Sequence, residues 1–355
     1  MTCDRRQHTD VIASTLQAIR SLATAGRASI AVALVALLAL GFLSGCGARA
    51  EPPLSQEPIK IATYLWPGSY WIDVAYDKGW FAEAGLNVEI VDVDRKYFPS
   101  MDDVAAGKLH AMGFSQYDLV RHSAAGADLT GIIAVDYSEG AEALIAKPGI
   151  RELQDLRGKK LALHRGTYLE YLLSIVAGRT RMNLDEITLV DRSGSEALED
   201  FIAGRVDAIL VWDPYASQAK DAGGVQVFST ADFPGLTYTV FTLRTDFIKA
   251  HPRETKALVE VWHRADHYVR EHVDETCQIV AQFHNEPVAA THDLLKTSRV
   301  LDVADNGRAF SYAAGFESLH TSWRRMNDFM LDRGLATQRV DSPAHLDSRF
   351  IRALQ

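Results

Sequence analysis

Apolar and polar positions along the chain follow two alternating spacings. Short segments such as IKIATY and NVEIV have apolar residues at every second position, which is typical of β-strands. The segments between them, such as IDVAYDKGWFAEAG, have the spacing of an amphipathic helix, and a glycine ends the pattern. Strands that alternate with helices of this length imply parallel βαβ units with helices on both faces of the sheet. The pattern therefore predicts an α/β fold.

The same succession of elements occurs twice. DDVAAGKLHAMGF at 102–114 resembles EDFIAGRVDAILV at 199–211, and Gly107 matches Gly204. KIATY and KLALH form a second pair at nearly the same spacing, and NVEIV and EITLV form a third. Three pairs in one order predict two similar lobes, each with a strand–helix–strand–helix–strand core.

Three further apolar segments connect these lobes. LTGIIAVDYS and EALIAK lead from the first lobe to the second, and TYTVFTLR leads back. After Arg244 the pattern is helical, and we expect this helical tail to pack on the first lobe. The predicted boundaries are 58–145 with 242–355 for lobe 1, and 146–241 for lobe 2.

The first 45 residues differ from the rest. A polar stretch with arginines precedes IAVALVALLALGFL, which is too short to span a bilayer and has the length of a signal-peptide h-region. The tetrapeptide LSGC that ends at Cys46 resembles the bacterial lipobox, in which the cysteine becomes the lipid-bearing first residue. We therefore predict a lipoprotein signal peptide over 1–45, lipidation of Cys46, a tether over 46–57, and anchoring to a membrane in the periplasm or at the cell surface.

Composition excludes several classes of protein. The 355 residues are 47% apolar and 23% charged, as in ordinary globular chains. The net charge is −9, and no basic stripe with interleaved aromatic residues is present, so we expect no nucleic acid partner. Cys3 leaves with the signal peptide and Cys46 carries lipid, which leaves Cys277 without a disulfide partner. We expect neither a cofactor nor a metal.

The ends of the strands carry the candidate binding residues, because ligands of open α/β sheets bind outside the carboxyl ends of the strands. YLWPGSYW follows the first strand, and its Pro-Gly pair stops the strand and turns the chain. Tyr64, Trp66 and Ser69 are expected to face a crevice, whereas Trp71 is expected in the core.

The corresponding loop of the second lobe is HRGTYLEY. Thr167 and Glu170 fit a capping box, which fixes the start of a helix. Arg165 and Gly166 add a guanidinium group and free backbone N–H groups at that start, a combination suited to an anion. This helix start can be capped and bind an anion at the same time, so the sequence leaves both interpretations open.

The other strand ends offer mixed chemistry. Asp213 either contacts a ligand or caps the following helix, and the sequence favours neither. Arg165 and the helix start favour an anionic ligand group. Asp136, Glu139 and Asp213 favour an amine, and the aromatic rings favour an apolar or aromatic body. The full predicted ligand site is Tyr64, Trp66, Ser69, Ser115, Gln116, Asp136, Tyr137, Ser138, Arg165, Gly166, Thr167, Tyr168, Trp212, Asp213 and Tyr215.

Four segments resemble a known family. They are GSYWIDVAYDKGWFAEAGLNVEIVD, IRELQDLRGKKLALHRGT, IAGRVDAILVWDPY and TDFIKAHPRETKALVEVW. They resemble the periplasmic solute-binding proteins of nitrate, sulfonate and taurine ABC transporters, a group related to thiamine-pyrimidine-binding proteins. The resemblance covers residues 59–272 and implies a two-lobe type II periplasmic binding protein fold, with the ligand between the lobes at the strand-end loops given above.

The resemblance and the N-terminal pattern together predict a lipid-anchored receptor without a catalytic step. We expect a monomer that captures a small anionic or zwitterionic, taurine-like solute and delivers it to an ABC permease and its ATPase. Three alternatives stay open: a protein that binds a thiamine-pyrimidine precursor, a pyrimidine synthase of the same fold with His164 as candidate base, and a sensor that signals to a membrane kinase. An exported lipoprotein is a poor place for the synthase chemistry.

Overall fold

The computed structural model describes residues 54–94 and 96–355 of the chain. The predicted signal peptide, the lipidation site Cys46 and most of the predicted tether lie outside the described residues. Within the described ranges, no helix has the length and apolar character needed to span a bilayer.

Two sheets flanked by helices make up the fold, and the two-lobe α/β prediction is confirmed. The strands are β1 (Ile59–Thr63), β2 (Val88–Asp92), β3 (Ala111–Ser115), β4 (Leu129–Ser138), β5 (Glu142–Ala146), β6 (Lys160–Leu163), β7 (Thr188–Asp191), β8 (Ala208–Trp212), β9 (Val225–Ser229), β10 (Tyr238–Arg244) and β11 (Ser298–Val300). The helices are α1 (Tyr70–Asp77), α2 (Trp80–Glu83), α3 (Tyr97–Ala105), α4 (Gln116–Ala124), α5 (Tyr168–Thr180), α6 (Gly194–Ile202), α7 (Tyr215–Asp221), α8 (Thr245–Ala250), α9 (Pro252–Glu271), α10 (Val273–His284), α11 (Val288–Leu295), α12 (Val303–Ala309), α13 (Leu319–Asp332), α14 (Ser342–His345) and α15 (Arg349–Arg352).

The internal repeat corresponds to a repeated sheet core. The first sheet has the order β11-β4-β10-β3-β1-β2 and the second has the order β7-β6-β8-β5-β9. In the first sheet β1 lies parallel to β2 and β3, and in the second sheet β6 lies parallel to β7 and β8. Gly107 follows α3 with φ +79° and Gly204 follows α6 with φ +73°. Glycine ends both helices because this left-handed conformation strains any residue with a Cβ.

The chain crosses between the sheets twice, once between β4 and β5 and once between β9 and β10. Both crossings lie a few residues before the predicted lobe boundaries at 145/146 and 241/242, because β5 and β10 each belong wholly to one sheet. The Thr230 side chain joins the two crossings. Its hydroxyl lies 2.8 Å from the Ser138 hydroxyl and accepts a hydrogen bond of 2.8 Å from the Gly140 N–H.

The helical tail packs mainly on the first lobe, as its pattern predicts. Helices α9 and α10 contact α1, α13 contacts α4, and β11 extends the first sheet beside β4. The tail also reaches the second lobe, which the pattern does not predict. Arg333 donates a 2.6 Å hydrogen bond to Glu170, and the Phe329 ring lies 5.5 Å from Tyr171.

Candidate ligand-binding site

Aromatic residues of both lobes meet where the strands end. The Phe98 ring of α3 lies 5.0 Å from the His164 ring, which follows β6, and 6.4 Å from the Trp212 ring at the end of β8. The Tyr117 hydroxyl of α4 donates a 3.4 Å hydrogen bond to the Gly166 carbonyl oxygen. The two lobes are therefore in contact at their strand ends, and the region between these ends is called the crevice below.

Tyrosines form the wall of the crevice on the first lobe. The Tyr64 and Tyr97 rings lie 4.7 Å apart. The Tyr64 hydroxyl donates to the Gly113 carbonyl oxygen at 3.2 Å, and the Tyr97 hydroxyl accepts from the Ser115 N–H at 3.1 Å. A Cβ at position 113 would lie 2.9 Å from the Tyr64 hydroxyl, so glycine is needed there. Burial raises the pKa of both phenols, which keeps them neutral.

The aromatic loop after β1 divides between the crevice and the core. Pro67–Ser69 form a single 3₁₀ turn that leads into α1. Trp71 is buried and packs edge-on against Phe241 at 5.1 Å, as predicted for a core residue. Trp66 is partly buried, and its indole N–H has no hydrogen-bond partner. A buried donor without a partner is costly. The Trp66 N–H lies near the Asp136 carboxyl group, although the two do not reach hydrogen-bond geometry.

Asp136, at the carboxyl end of β4, is the most unusual group of the crevice. It is fully buried, and neither of its carboxyl oxygens has a hydrogen-bond partner. Burial raises its pKa to about 7, and the charge of Glu142 contributes to the rise. Three nearby side chains lower the pKa of Asp136 in part, although none reaches hydrogen-bond geometry with it. They are Thr239, Ser298 and Trp66.

Glu142 opens β5 on the second lobe and faces Trp212 across the ladder with β8. It is 3% exposed, and its Oε2 atom has no hydrogen-bond partner. Burial raises its pKa, while the Ser138 hydroxyl acts in the opposite direction. The sequence analysis did not select this residue. A lone charge at the start of the apolar segment EALIAK, beside a crossing between lobes, is the signal that would have found it.

A third buried carboxylate, Asp118, has partners. It accepts a 2.6 Å hydrogen bond from the Ser115 hydroxyl, and its other oxygen lies 3.3 Å from the Arg121 guanidinium. Ser115 caps the start of α4, because its hydroxyl accepts from the Asp118 N–H at 3.0 Å, and the Asp118 carboxylate holds that hydroxyl in place. Ser115 contributes to the crevice wall through its N–H, which donates to the Tyr97 hydroxyl.

The structure places Arg165 outside the crevice. Its side chain is nearly half exposed and lies 3.6 Å from Glu170, which also accepts from the Gly166 N–H at 2.9 Å. Although burial raises the pKa of Glu170, this N–H and the Arg333 guanidinium outweigh it and lower the pKa. Thr167 caps α5 by accepting from the Leu169 N–H at 3.3 Å. Arg165 and Glu170 line a separate outer pocket beside the end of α13.

Two other predicted residues have structural partners. Asp213 accepts a 2.9 Å hydrogen bond from the Ser217 N–H, which is the capping interpretation left open by the sequence. The Tyr215 ring packs on Gly194, where a Cβ would lie 2.6 Å from it.

Two more residues of the predicted ligand site have partners away from the crevice. Tyr137 packs edge-on against Tyr238 at 5.5 Å. The Gln116 amide donates to the Leu319 carbonyl oxygen of the tail at 2.5 Å.

The predicted residues therefore fall into two groups. Those brought to the crevice or its walls are Tyr64, Trp66, Ser69, Ser115, Asp136, Ser138, Tyr168 and Trp212. Those with partners outside it are Gln116, Tyr137, Arg165, Gly166, Thr167, Asp213 and Tyr215. The sequence analysis missed Tyr97, Phe98, Glu142, Thr230 and Thr239.

A group that resembles a metal site occurs beside the crevice. Ligand atoms of Asp92, Asp94 and His284 lie within 4.8 Å of one another. Both imidazole nitrogens of His284, however, face carboxylates: Nδ1 lies 2.8 Å from Asp94 and Nε2 lies 3.1 Å from Asp73. A ring that donates from both nitrogens is an imidazolium and has no lone pair for a metal. The group is an ion-pair cluster.

Two lobes that are joined by two crossings and meet at their strand ends are the arrangement of periplasmic solute-binding proteins. The chain belongs to the NMT1/THI5-like family, whose sequence model matches residues 66–276.

Individual relatives agree with this class. A Bacillus subtilis (strain 168) protein named for aliphatic sulfonate binding is 27% identical over 281 residues, which are 76% of this chain and 83% of the relative. Among solved structures, the periplasmic aliphatic sulphonate binding protein SsuA from Escherichia coli has a TM-score of 0.68 at 17% identity and covers 83% of this chain and 93% of its own. The periplasmic nitrate-binding protein NrtA from Synechocystis PCC 6803 has a TM-score of 0.61 at 14% identity and covers 83% and 87%.

Proposed function

We propose that this protein captures a small solute in the crevice and delivers it to an ABC permease and its ATPase. Cleavage after residue 45 and lipidation of Cys46 would hold it at the membrane on the periplasmic side or at the cell surface. The observation that carries the solute-binding role is the closed crevice itself. Buried recognition groups without partners, above all Asp136 and the Trp66 N–H, lie there between two lobes that meet around Phe98.

The solute we propose is small and zwitterionic, of the amino-sulfonate type. The names of the relatives support a sulfonate, and the hydroxyl groups around Ser138 and Thr230 are suitable neutral donors for it. The carboxyl groups of Asp136 and Glu142 support a second, basic group on the same molecule. Arg165, which the sequence suggested for the anionic end, is engaged with Glu170 in the outer pocket.

An amino-pyrimidine of the thiamine-precursor type is the second candidate. The aromatic walls favour it, because a flat ring would lie between the side chains of Tyr97 and Phe98 on one lobe and Trp212 on the other. The amino-sulfonate and the amino-pyrimidine both have a nitrogen that donates hydrogen bonds. Only the amino-sulfonate also has an anionic group.

The test is recovery of the natural solute. Protein purified under native conditions from its own cells is denatured, and the released small molecules are identified by mass spectrometry. We expect one compound in an amount close to that of the protein, which rebinds to refolded protein and is recovered unaltered. A chain that releases nothing and binds nothing from a cell extract would contradict solute binding, and a chemically altered product would indicate an enzyme.

A further inference from the structure

We propose that the crevice selects its solute by a protonated nitrogen that binds between Asp136 of the first lobe and Glu142 of the second. The inference rests on the proposed solute-binding function and adds the chemical class of the ligand: an organic amine, either zwitterionic or cationic.

The position of the Asp136 carboxyl group is fixed by close packing. A Cβ at Gly68 would lie 2.7 Å from its Oδ1 atom and 2.9 Å from its Cγ atom, so the backbone of the 3₁₀ turn after Trp66 lies directly against it. The group is fully buried, and both oxygens lack a partner. Polar groups of Thr239, Ser298 and Trp66 lie near this carboxyl group but do not reach hydrogen-bond geometry. A carboxyl group that is held in place in this way is pre-organised for a donor that arrives with the ligand.

Glu142 supplies the second carboxyl group from the other lobe. It lies beside the joined crossings, where the hydroxyl groups of Ser138 and Thr230 influence its pKa. Burial is the main cause of the raised pKa of Asp136, and the charge of Glu142 adds to it, as expected of a like charge near a buried site. A cation between them removes both the desolvation cost and this repulsion.

Other buried carboxylates show that an unpaired state is unusual in this chain. Asp118 is bonded to Ser115 and Arg121, Asp200 is bonded to Arg192 and Arg205, and Asp73 is bonded to Thr63 and His284. Among the buried carboxylates of the described ranges, Asp136 is the one whose two oxygens both lack a partner. Asp118, Asp200 and Asp73 thus have side-chain partners within the protein, whereas Asp136 has none in hydrogen-bond geometry.

Tyrosine hydroxyl groups lie beside both carboxyl groups. Tyr64 is influenced by the charge of Asp136, and Tyr168 is influenced by the charge of Glu142, so both phenols lie near the acidic pair. A bridging nitrogen would also contact both lobes, so its binding would favour the closed form by the difference in affinity between closed and open states.

Matched ligands test the selectivity. Taurine and propane-1-sulfonate have nearly the same shape and differ in an ammonium against a methyl group; benzylamine and benzyl alcohol form a second pair without a sulfonate. Isothermal titration at pH 8 measures the affinity of each compound. Within a pair that binds, the amine should bind at least tenfold more tightly than its nitrogen-free partner. Equal or tighter binding of the nitrogen-free member would overturn the inference and leave solute binding intact.

The solute recovered from the native protein gives the same decision without any chosen probe. A recovered compound with a basic nitrogen supports the inference, and one without it overturns the inference alone. Failure to recover or bind any solute would instead count against the proposed function.

Variants of the carboxyl groups add a measurement that needs no ligand. Asp136→Asn and Glu142→Gln remove an unpaired buried charge, so the melting temperature of the ligand-free variants at pH 8 should rise or stay the same. Asp118→Asn is the matched control, and its melting temperature should fall because it loses the partners of a bonded carboxylate. A fall in Asp136→Asn as large as that in Asp118→Asn would mean that Asp136 has a structural partner, which contradicts the inference.

Discussion

His284 and Asp73 form a fully buried ion pair, in which the imidazole Nε2 lies 3.1 Å from the carboxylate of Asp73. The other ring nitrogen lies 2.8 Å from Asp94, whose second oxygen accepts a 2.5 Å hydrogen bond from the Leu65 N–H. The Thr63 hydroxyl donates to Asp73 at 2.8 Å. His284 of the tail thus holds α1, the end of β1 and the loop after β2 together, behind the residues that line the crevice.

Loss of this histidine is expected to destabilise the protein strongly. His284→Gln leaves Asp73 buried without its cationic partner, and breaking a buried pair in this way costs about 3–5 kcal/mol. Chemical denaturation of the ligand-free protein measures the change. His267→Gln is the control, because His267 is exposed and pairs with Glu271 on the surface of α9, where the effect should be below about 1 kcal/mol. Equal effects of the two variants would contradict the role given to His284.

The same pair predicts a loss of stability at alkaline pH. Burial alone would lower the pKa of His284, but the two carboxylates outweigh it and raise the pKa from 6.5 to about 10. A raised histidine pKa means that the contribution to the free energy of unfolding is complete below pH 6.5 and is lost as the pH rises through about 10. Denaturation curves between pH 6 and pH 10 should show this decline in the wild type and a much smaller one in His284→Gln.

The raised pKa of Asp136 predicts a second change in stability, between about pH 4 and pH 7. Its pKa is raised from 3.8 to about 7, so the folded state binds a proton that the unfolded state has released. This group therefore makes the ligand-free protein less stable as the pH rises from about 4 to about 7, by up to about 4 kcal/mol at 1.36 kcal/mol per pKa unit. Asp136→Asn should match the wild type near pH 4 and exceed it at pH 8. Identical pH profiles would show that Asp136 is not buried and unpaired.

Trp66 predicts a separation of affinity from stability. Truncation of an aromatic anchor at a binding site costs about 2 kcal/mol or more, which is near a thirtyfold loss of affinity. Trp66→Ala should keep a near-normal melting temperature without ligand and lose most of the stabilisation that ligand gives. Trp262→Ala is the comparison, because Trp262 is fully buried in the core and its truncation should cost about 3–5 kcal/mol. A large drop in ligand-free stability for Trp66→Ala, with affinity intact, would assign Trp66 to packing.

Cys46 predicts the location of the protein. Cys46→Ser removes the residue that would carry lipid, so membrane fractionation should show release from the membrane fraction, and acyl labelling should be lost. Unchanged fractionation and labelling would contradict a lipid anchor at this position.

Local signals explain why the sheet cores could be predicted from the sequence. The alternation of IKIATY and the glycine stops at Gly107 and Gly204 depend only on neighbouring residues. Strands β9 and β11 were missed because each pairs only with a distant strand at one edge of a sheet, β5 for the former and β4 for the latter. Such pairing has no local pattern.

The site was harder to predict than the fold because distant partners decide which strand-end residues are free. Arg165 sits at a helix start that suits an anion, but Glu170 engages it, and Arg333 reaches Glu170 from 163 residues away. Glu142 was missed for the opposite reason. Glu142 is a candidate because it is buried beside a crossing between the lobes, and this burial is visible only in the tertiary structure.

The most direct test of the account asks which of two sites holds the solute. Calorimetric titration of the recovered solute is compared for wild type, Phe98→Ala in the crevice and Arg165→Ala in the outer pocket. We predict one saturable site per chain in the wild type, unchanged affinity in Arg165→Ala and at least about a tenfold loss in Phe98→Ala, since its ring bridges the lobes. Weak binding by Arg165→Ala with full affinity in Phe98→Ala would place the solute in the outer pocket and contradict the account.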